Sequence, residues 1–505
     1  MDIALTPETP VLANKTLARI NAPQVALPGF DYLKLPVKVL QFGTGVLLRG
    51  LTDHVIDKAN RAGIFNGRIA VIKSTNTGNT DAFADQDNLY TLQLKGINNK
   101  QLVEETIINT AISHVLSAVN EWDRILKEAE SPDLKVIVSN TTEVGLQLVE
   151  EDIKQSPPVS YPAKLLALLY HRYKTFNGGV DSGLVIIPTE LLPDNAIVLK
   201  NIITQLIAYN KLDADFEKWL DENNYFCNSL VDKIVTGRPS KQEQQLFEEK
   251  NGYHDELLIV AEPYCLWAIE GNDKVKSILS FEQADEGVTV IPDIETHREL
   301  KLRLLNGTHT LSCAVALIKG FDMVNTATNN IEFYGFLQDV MAEIRSVMQP
   351  TVDQQVLADF SDNVLDRFKN PYIQHQWINI AQQYTTKLIT RVIPLLNSYY
   401  KLFNQAPVKI AKGFAAYLFL MSNVKQDDSG LYLVYNDVKF PFKDDKGEQL
   451  IEKYKTYPLS NIATEILGSA EVWGEDLTQL PMFAYAVQHY LDKIVSDDLV
   501  IWGNE

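Results

Sequence analysis

The stretch VKVLQFGTGVLLRGLTDHVIDKA, Val37 to Ala59, carries the reading of the fold. Its first six residues are mostly apolar and include two β-branched valines, as expected of a strand buried on both faces. Gly43 and Gly45 then mark a tight turn, and a helical pattern follows. Strand, glycine turn and helix in that order bring peptide N–H groups and a helix N-terminus to where a pyrophosphate is held. Phe42, Gly43, Thr44, Gly45 and Val46 are therefore candidates for contact with a dinucleotide cofactor. The third glycine, Gly50, comes two residues later than in the GxGxxG pattern, so a purely structural turn is the alternative reading.

Further runs of the same kind follow: RIAVIK (68–73), LKVIVSN (134–140) and GLVIIP (183–188). The segments between them read as amphipathic helices, Asn99 to Glu130 among them. This alternation predicts a parallel sheet covered on both faces, an α/β architecture with a Rossmann-type doubly wound N-terminal domain over residues 1–290. From Ile294 the period becomes helical, with Pro292 and Asp293 at the change, so residues 291–505 read as a mainly α-helical C-terminal domain. The second strand ends in Lys73, Ser74 and Thr75 with no acid before Asp81, whereas an acid at that place is what selects NAD over NADP. Ser74 joins the cofactor candidates, and NAD is expected with NADP left open.

The chain has 65 acidic and 46 basic residues, a net charge of -19, with no Lys/Arg run to override it. Nucleic acid and anionic membrane are poor partners for such a surface. No apolar stretch approaches the roughly 20 residues that span a bilayer. The N-terminus carries an acid at position 2 and lacks a signal-peptide core, so a cytoplasmic location is expected. Cys227, Cys265 and Cys313 lie far apart without ligand spacing, which predicts buried free thiols and no metal site.

The chemistry concentrates in KLRLLNGTHT, Lys301 to Thr310. Taken singly, Lys301 reads as a lysine whose stem covers apolar neighbours and His309 as a satisfied core histidine. At the 100° per residue of an α-helix, Asn306 falls about 140° and His309 about 80° around from Lys301, within one arc. Gly307, which costs a helix interior about 1 kcal/mol relative to alanine, reads as the mark of a close approach. Ketone reduction needs a hydride source, a proton donor and hydrogen-bond donors aimed at the developing alkoxide. A desolvated Lys301 suits proton exchange, the Asn306 amide suits the oxyanion, and the His309 ring can orient a substrate. No metal is required by that arrangement. Arg298, one turn before Lys301, and His375 are candidates for an anionic group on the substrate.

The spacing Lys-x4-Asn-x2-His resembles the signature of the long-chain polyol dehydrogenases, the mannitol dehydrogenase family. QFGTGVLLRG (41–50), TTEVG (141–145), NSLVDKI (228–234) and EPYCLWAIE (262–270) resemble other blocks of that family. The resemblance implies a Rossmann-type domain followed by a helical one, metal-independent oxidoreduction with NAD, and catalysis by Lys301, Asn306 and His309. It also implies Asn140 and Thr141 at the nicotinamide-side turn, Lys387 as a substrate contact, and Glu143 and Asp232 as polar neighbours of the lysine. VSNTTEVGL (138–146), PTELLPDNA (188–196) and RFKNPYIQHQW (367–377) resemble the branch that acts on keto-uronates and aldonates. Where mannitol-type members carry an Asp-Asn pair, this chain has Glu190 and Leu191, so the second asparagine of their oxyanion pocket is missing. A reductase for an epimeric keto-uronate, a neutral polyol dehydrogenase and a non-catalytic dinucleotide-binding regulator remain the alternatives.

Overall fold

The computed structural model describes residues 9–75, 80–141, 145–435 and 438–496. The chain divides into two compact units, Met1–Gly96 with Leu102–Ile294, and Ile97–Gln101 with Glu295–Glu505.

In the first unit six strands form one sheet: β1 (Val37–Phe42), β2 (Arg68–Lys73), β3 (Ile112–Ser117), β4 (Val136–Ser139), β5 (Val185–Pro188) and β6 (Tyr225–Phe226). Their spatial order is β3-β2-β1-β4-β5-β6, and every pairing is parallel. That is the order of a Rossmann sheet, with its crossover at β1 and β4. The apolar runs behave as parallel strands covered on both faces should: Leu40, Ile137 and Ile186 point into one core, and Val39, Val136 and Val185 into another.

The segment Asn99 to Glu130 is not the helix expected of it. Strands Tyr90–Asn98 and Gln101–Asn109 flank a two-residue link, then comes β3, and only Trp122–Glu128 is helical. Asn99 and Lys100 both have positive φ, 50° and 63°, the requirement of a tight hairpin turn whose twist matches its strands. Between them and β3, the β-branched Thr106, Ile107 and Ile108 favour a pleated ladder over a helix.

The second unit is built around one helix whose middle is wholly enclosed. After the loop-adjacent helices α1 (Val46–Gly50) and α2 (Thr52–Arg61) of the first unit, the main helices here are α3 (Thr308–Ile318), α4 (Ile331–Met348), α5 (Gln354–Lys369), α6 (Tyr384–Arg391) and α7 (Val408–Ser422). Leu311, Cys313, Ala314, Val315 and Ala316 of α3 have no exposed surface. Gly413 of α7 permits the closest crossing, because a Cβ there would lie 2.7 Å from the Leu311 side chain and 3.0 Å from its carbonyl oxygen.

Gly307 has no such role. A Cβ on it would meet Ile344, Leu302 and Leu395 at 3.7 to 3.9 Å, ordinary contact distance, and its φ of -63° and ψ of -46° are helical. Among the described residues, none makes the expected close approach. Gly307→Ala should stabilise the fold by roughly 0.5 to 1 kcal/mol, the gain from restricting the unfolded chain. Denaturant titration measures this, and a loss of stability would contradict it.

Candidate active site

The glycine turn divides its labour among three glycines. Gly43 has φ of +128°, and its Cβ position would face the Asn140 carbonyl oxygen at 3.1 Å, so this residue makes the turn against β4. Gly45 is exposed, and a Cβ on it would meet no atom within 4 Å. Gly50 performs the packing task of the third glycine despite its later position: a Cβ there would lie 2.5 Å from Val235. The helical pattern beyond the turn is broken once, at Leu51 between α1 and α2.

These residues fit a dinucleotide. The open backbone at Gly45 leaves room beside the N-terminal peptides of α1, and Thr44 and Val46 flank it half-buried. At the end of β2 the Ser74 hydroxyl is buried without a hydrogen-bond partner among the described residues. Phe42 is fully buried against the Tyr161 ring, centroids 4.9 Å apart, so only its backbone serves the turn, where its carbonyl accepts from Asn140 N–H at 3.1 Å.

Sequence reasoning registered Glu190 only as a departure from the family, but it holds the turn after β4. Its carboxylate accepts from the Thr141 N–H at 2.8 Å, from the Thr141 hydroxyl at 3.0 Å and from the Ser139 hydroxyl at 3.2 Å. Burial pushes its pKa up, and those bonds pull against the rise. The Asn140 amide donates to Thr189 at 3.0 Å. Leu191 beside it is 65% exposed. Asp232 ends the strand Ser229–Asp232 opposite Leu266. Glu143 lies outside the described residues.

In the helical unit, Leu300–Gly307 is a π-helix that passes directly into α3. A π turn closes i→i+5 rings, so Asn306 stands one turn above Lys301 instead of about 140° around from it. The π turn thus brings Asn306 closer to the face of Lys301 than an α-helical count does. From Arg303 to Leu317 every residue is buried except Asn306 and His309, and Lys301 is half-buried too. The Asn306 carbonyl accepts from the Thr310 hydroxyl at 2.7 Å, while its side-chain amide is engaged by none of the described residues.

The His309 ring stacks on Phe368, centroids 4.0 Å apart and planes 12° apart, and meets the His375 and Trp377 rings edge-on at 5.1 and 5.9 Å. Its Nε2 is buried with no hydrogen-bond partner among the described residues. Burial lowers its pKa well below the ordinary histidine value, helped by the charges of His375, Arg367, Arg391 and Lys387, so the imidazole is neutral. His375 is shifted down for the same reasons, burial first and then Arg367 and Lys387. Lys387 donates to the Ile380 carbonyl at 2.7 Å, and burial lowers its pKa. Arg298 pairs with Glu295 at 2.7 Å. The structure therefore gathers Lys301, Asn306, His309, His375 and Lys387 in one unit, and leaves Arg298 with an acid of its own. Among the described residues no group of His, Cys, Asp and Glu could hold a metal ion, and no helix is long and apolar enough to cross a membrane. All three cysteines are buried and free.

The model of the mannitol dehydrogenase Rossmann domain matches residues 37–283, and that of the mannitol dehydrogenase C-terminal domain residues 293–495. The chain is 37% identical to the altronate oxidoreductase of Halalkalibacterium halodurans over 458 residues, 88% of either chain. It is 34% identical to that of Bacillus subtilis, covering 92% of this chain and 94% of the relative. Among solved structures, a D-sorbitol dehydrogenase superposes with a TM-score of 0.75 at 19% identity, over 97% of this chain and 99% of the other. The ternary complex of Pseudomonas fluorescens mannitol 2-dehydrogenase with NAD and D-mannitol gives 0.67 at 20% identity, over 96% and 97%.

Proposed function

The chain belongs to the mannitol dehydrogenase family, and on that premise we propose that it reduces the keto-uronate D-tagaturonate to D-altronate, reversibly, with NADH. The observation that carries the reading is the π turn over Leu300–Gly307, which holds Lys301 and Asn306, with Asn306 and His309 the half-buried positions of an otherwise enclosed run from Arg303 to Leu317. A buried helix has no structural use for an unengaged amide beside an ammonium, and a carbonyl reductase does. Similarity to altronate oxidoreductases along about nine-tenths of the chain supports the substrate.

When bound, the reduced nicotinamide supplies the hydride. As hydride arrives at the carbonyl carbon, the C=O π pair moves onto oxygen, and Lys301 as an ammonium gives that oxygen a proton. The Asn306 N–H donates to the same oxygen and is strongest when charge on it is greatest. His309, held neutral, offers a ring nitrogen to a neighbouring hydroxyl of the substrate and fixes which carbonyl faces Lys301. In altronate oxidation the neutral Lys301 amine takes the hydroxyl proton. Gly43, Thr44, Gly45 and Val46 with Ser74, Asn140 and Thr141 hold the dinucleotide.

The test is altronate oxidation followed by nicotinamide absorbance with NAD and NADP in parallel. NAD-dependent turnover of altronate is expected; a preference for mannitol, or no turnover with either dinucleotide, would overturn the reading. A second test concerns the turn. Gly45→Asp meets no steric obstacle in the protein itself, but it sets a carboxylate against the pyrophosphate. NADH binding by fluorescence titration should weaken by about tenfold or more, with circular dichroism unchanged. Unaltered affinity would place the dinucleotide elsewhere.

A further inference from the structure

We propose that Arg391 reads the terminal carboxylate of the substrate, with Lys387 one turn earlier on α6 as the second positive charge. The inference rests on the keto-uronate reading and names the residue that enforces it.

Four basic side chains, His309, His375, Lys387 and Arg391, gather in this part of the helical unit. No described carboxylate bonds or pairs with any of them, in a chain of net charge -19. Like charges one helical turn apart oppose folding by a few tenths of a kcal/mol. Their retention without an internal acid implies an anion supplied from outside.

Of the arginines here, Arg367, which also acts on His309 and His375, has an interaction of its own, and the other two are bonded as follows. Arg298 is taken by Glu295. Arg303 is taken by Glu299 at 2.9 Å and by the carbonyls of Thr390 and Arg391, each at 2.9 Å. Arg391 has one bond among the described residues, from Nη1 to the Thr310 hydroxyl at 3.1 Å. A guanidinium carries five N–H donors in a planar fork suited to a carboxylate, so most of this fork is uncommitted. Burial brings its pKa down to about 10, which leaves it charged but desolvated.

Its position is fixed at both ends. Arg303 binds the last carbonyls of α6, and the Tyr384 hydroxyl donates to the Thr310 carbonyl at 2.7 Å while accepting from Ala314 N–H at 3.0 Å. Thr310 follows His309 directly, and its hydroxyl binds the Asn306 carbonyl. The arginine is thus tied, through the Thr310 hydroxyl, to the turn that bears Asn306 and His309.

Arg391→Met and Arg391→Lys are compared with the unaltered protein on tagaturonate and on its neutral counterpart tagatose, with NADH titration as the control for cofactor binding. In Arg391→Met the ratio of kcat/KM for tagaturonate over tagatose should fall by about 30- to 1,000-fold, as for unpairing a desolvated charge pair. The loss should lie mainly in KM, and Arg391→Lys should recover part of it. A ratio left at its original value, or equal falls in kcat and KM effects on both substrates, overturns the assignment. An unaltered protein inert towards tagaturonate defeats the functional reading and this inference with it; turnover of tagaturonate that Arg391→Met does not impair defeats the inference alone.

Discussion

Replacing Lys301 by alanine is expected to lower turnover by two to four orders of magnitude, the usual range for loss of a positioned acid–base group, while NADH affinity stays near its original value. The separation follows from where the residue sits. Lys301 belongs to the π segment of the helical unit, and the glycine turn that would hold the dinucleotide belongs to the sheet unit. On the proposed mechanism, removing the ammonium takes away the proton source and leaves Gly43, Thr44, Gly45 and Val46 unaltered. A further signature distinguishes chemistry from packing. On the proposed mechanism reduction uses the Lys301 ammonium and altronate oxidation its neutral amine, so the two rates should respond to pH in opposite senses. Lys301→Ala should abolish that opposition between the two pH profiles. Near-normal turnover, or two profiles still opposed, would remove Lys301 from the mechanism.

Asn306→Ala should cost about 3 kcal/mol of transition-state stabilisation, roughly a hundredfold in kcat. The side-chain amide is engaged by no described residue, so truncation breaks no internal bond, and the helix keeps its Thr310 hydroxyl bond to the Asn306 carbonyl. Alanine also has the higher helix propensity, so stability should not suffer. The predicted effect therefore appears in kcat, with KM little altered, as expected of a donor that matters most when the oxygen is an alkoxide. A change confined to KM would make Asn306 a ground-state contact.

The parallel sheet was legible because its strands are apolar on both faces: VKVLQF and RIAVIK coincide with β1 and β2 residue for residue. The hairpin between β2 and β3 was not. Asn99 and Lys100 form a two-residue turn in the left-handed region, but lysine is an unusual second residue there, and the expected glycine was missing. The half-exposed strand Gln101–Asn109 then alternates too weakly to exclude a helical period.

In the helical unit the three reactive residue types were legible from spacing, yet their true geometry was not. Nothing in LKLRLLNG announces a π turn, because i→i+5 closure depends on what packs around the helix and not on local propensity. Gly307 misled for a related reason: a mid-helix glycine suggests a close approach, and the close approach lies at Gly413. Arg391 escaped notice because a sequence does not reveal which arginines already have acids. By sequence Arg298 stands one turn before Lys301, but it is paired with Glu295. The one available hint was Lys387 and Arg391 four apart on one helix face without an intervening acid.

The central claim is that the catalytic face of the π turn serves a charged keto sugar acid. Its most direct test is the steady-state kcat/KM of the unaltered protein for tagaturonate, fructuronate and fructose, each with NADH. The account predicts tagaturonate first, fructuronate at least tenfold lower and fructose lower by a further factor of a hundred or more, on the order of a lost charge-assisted pair. Fructose used as well as either uronate would contradict it.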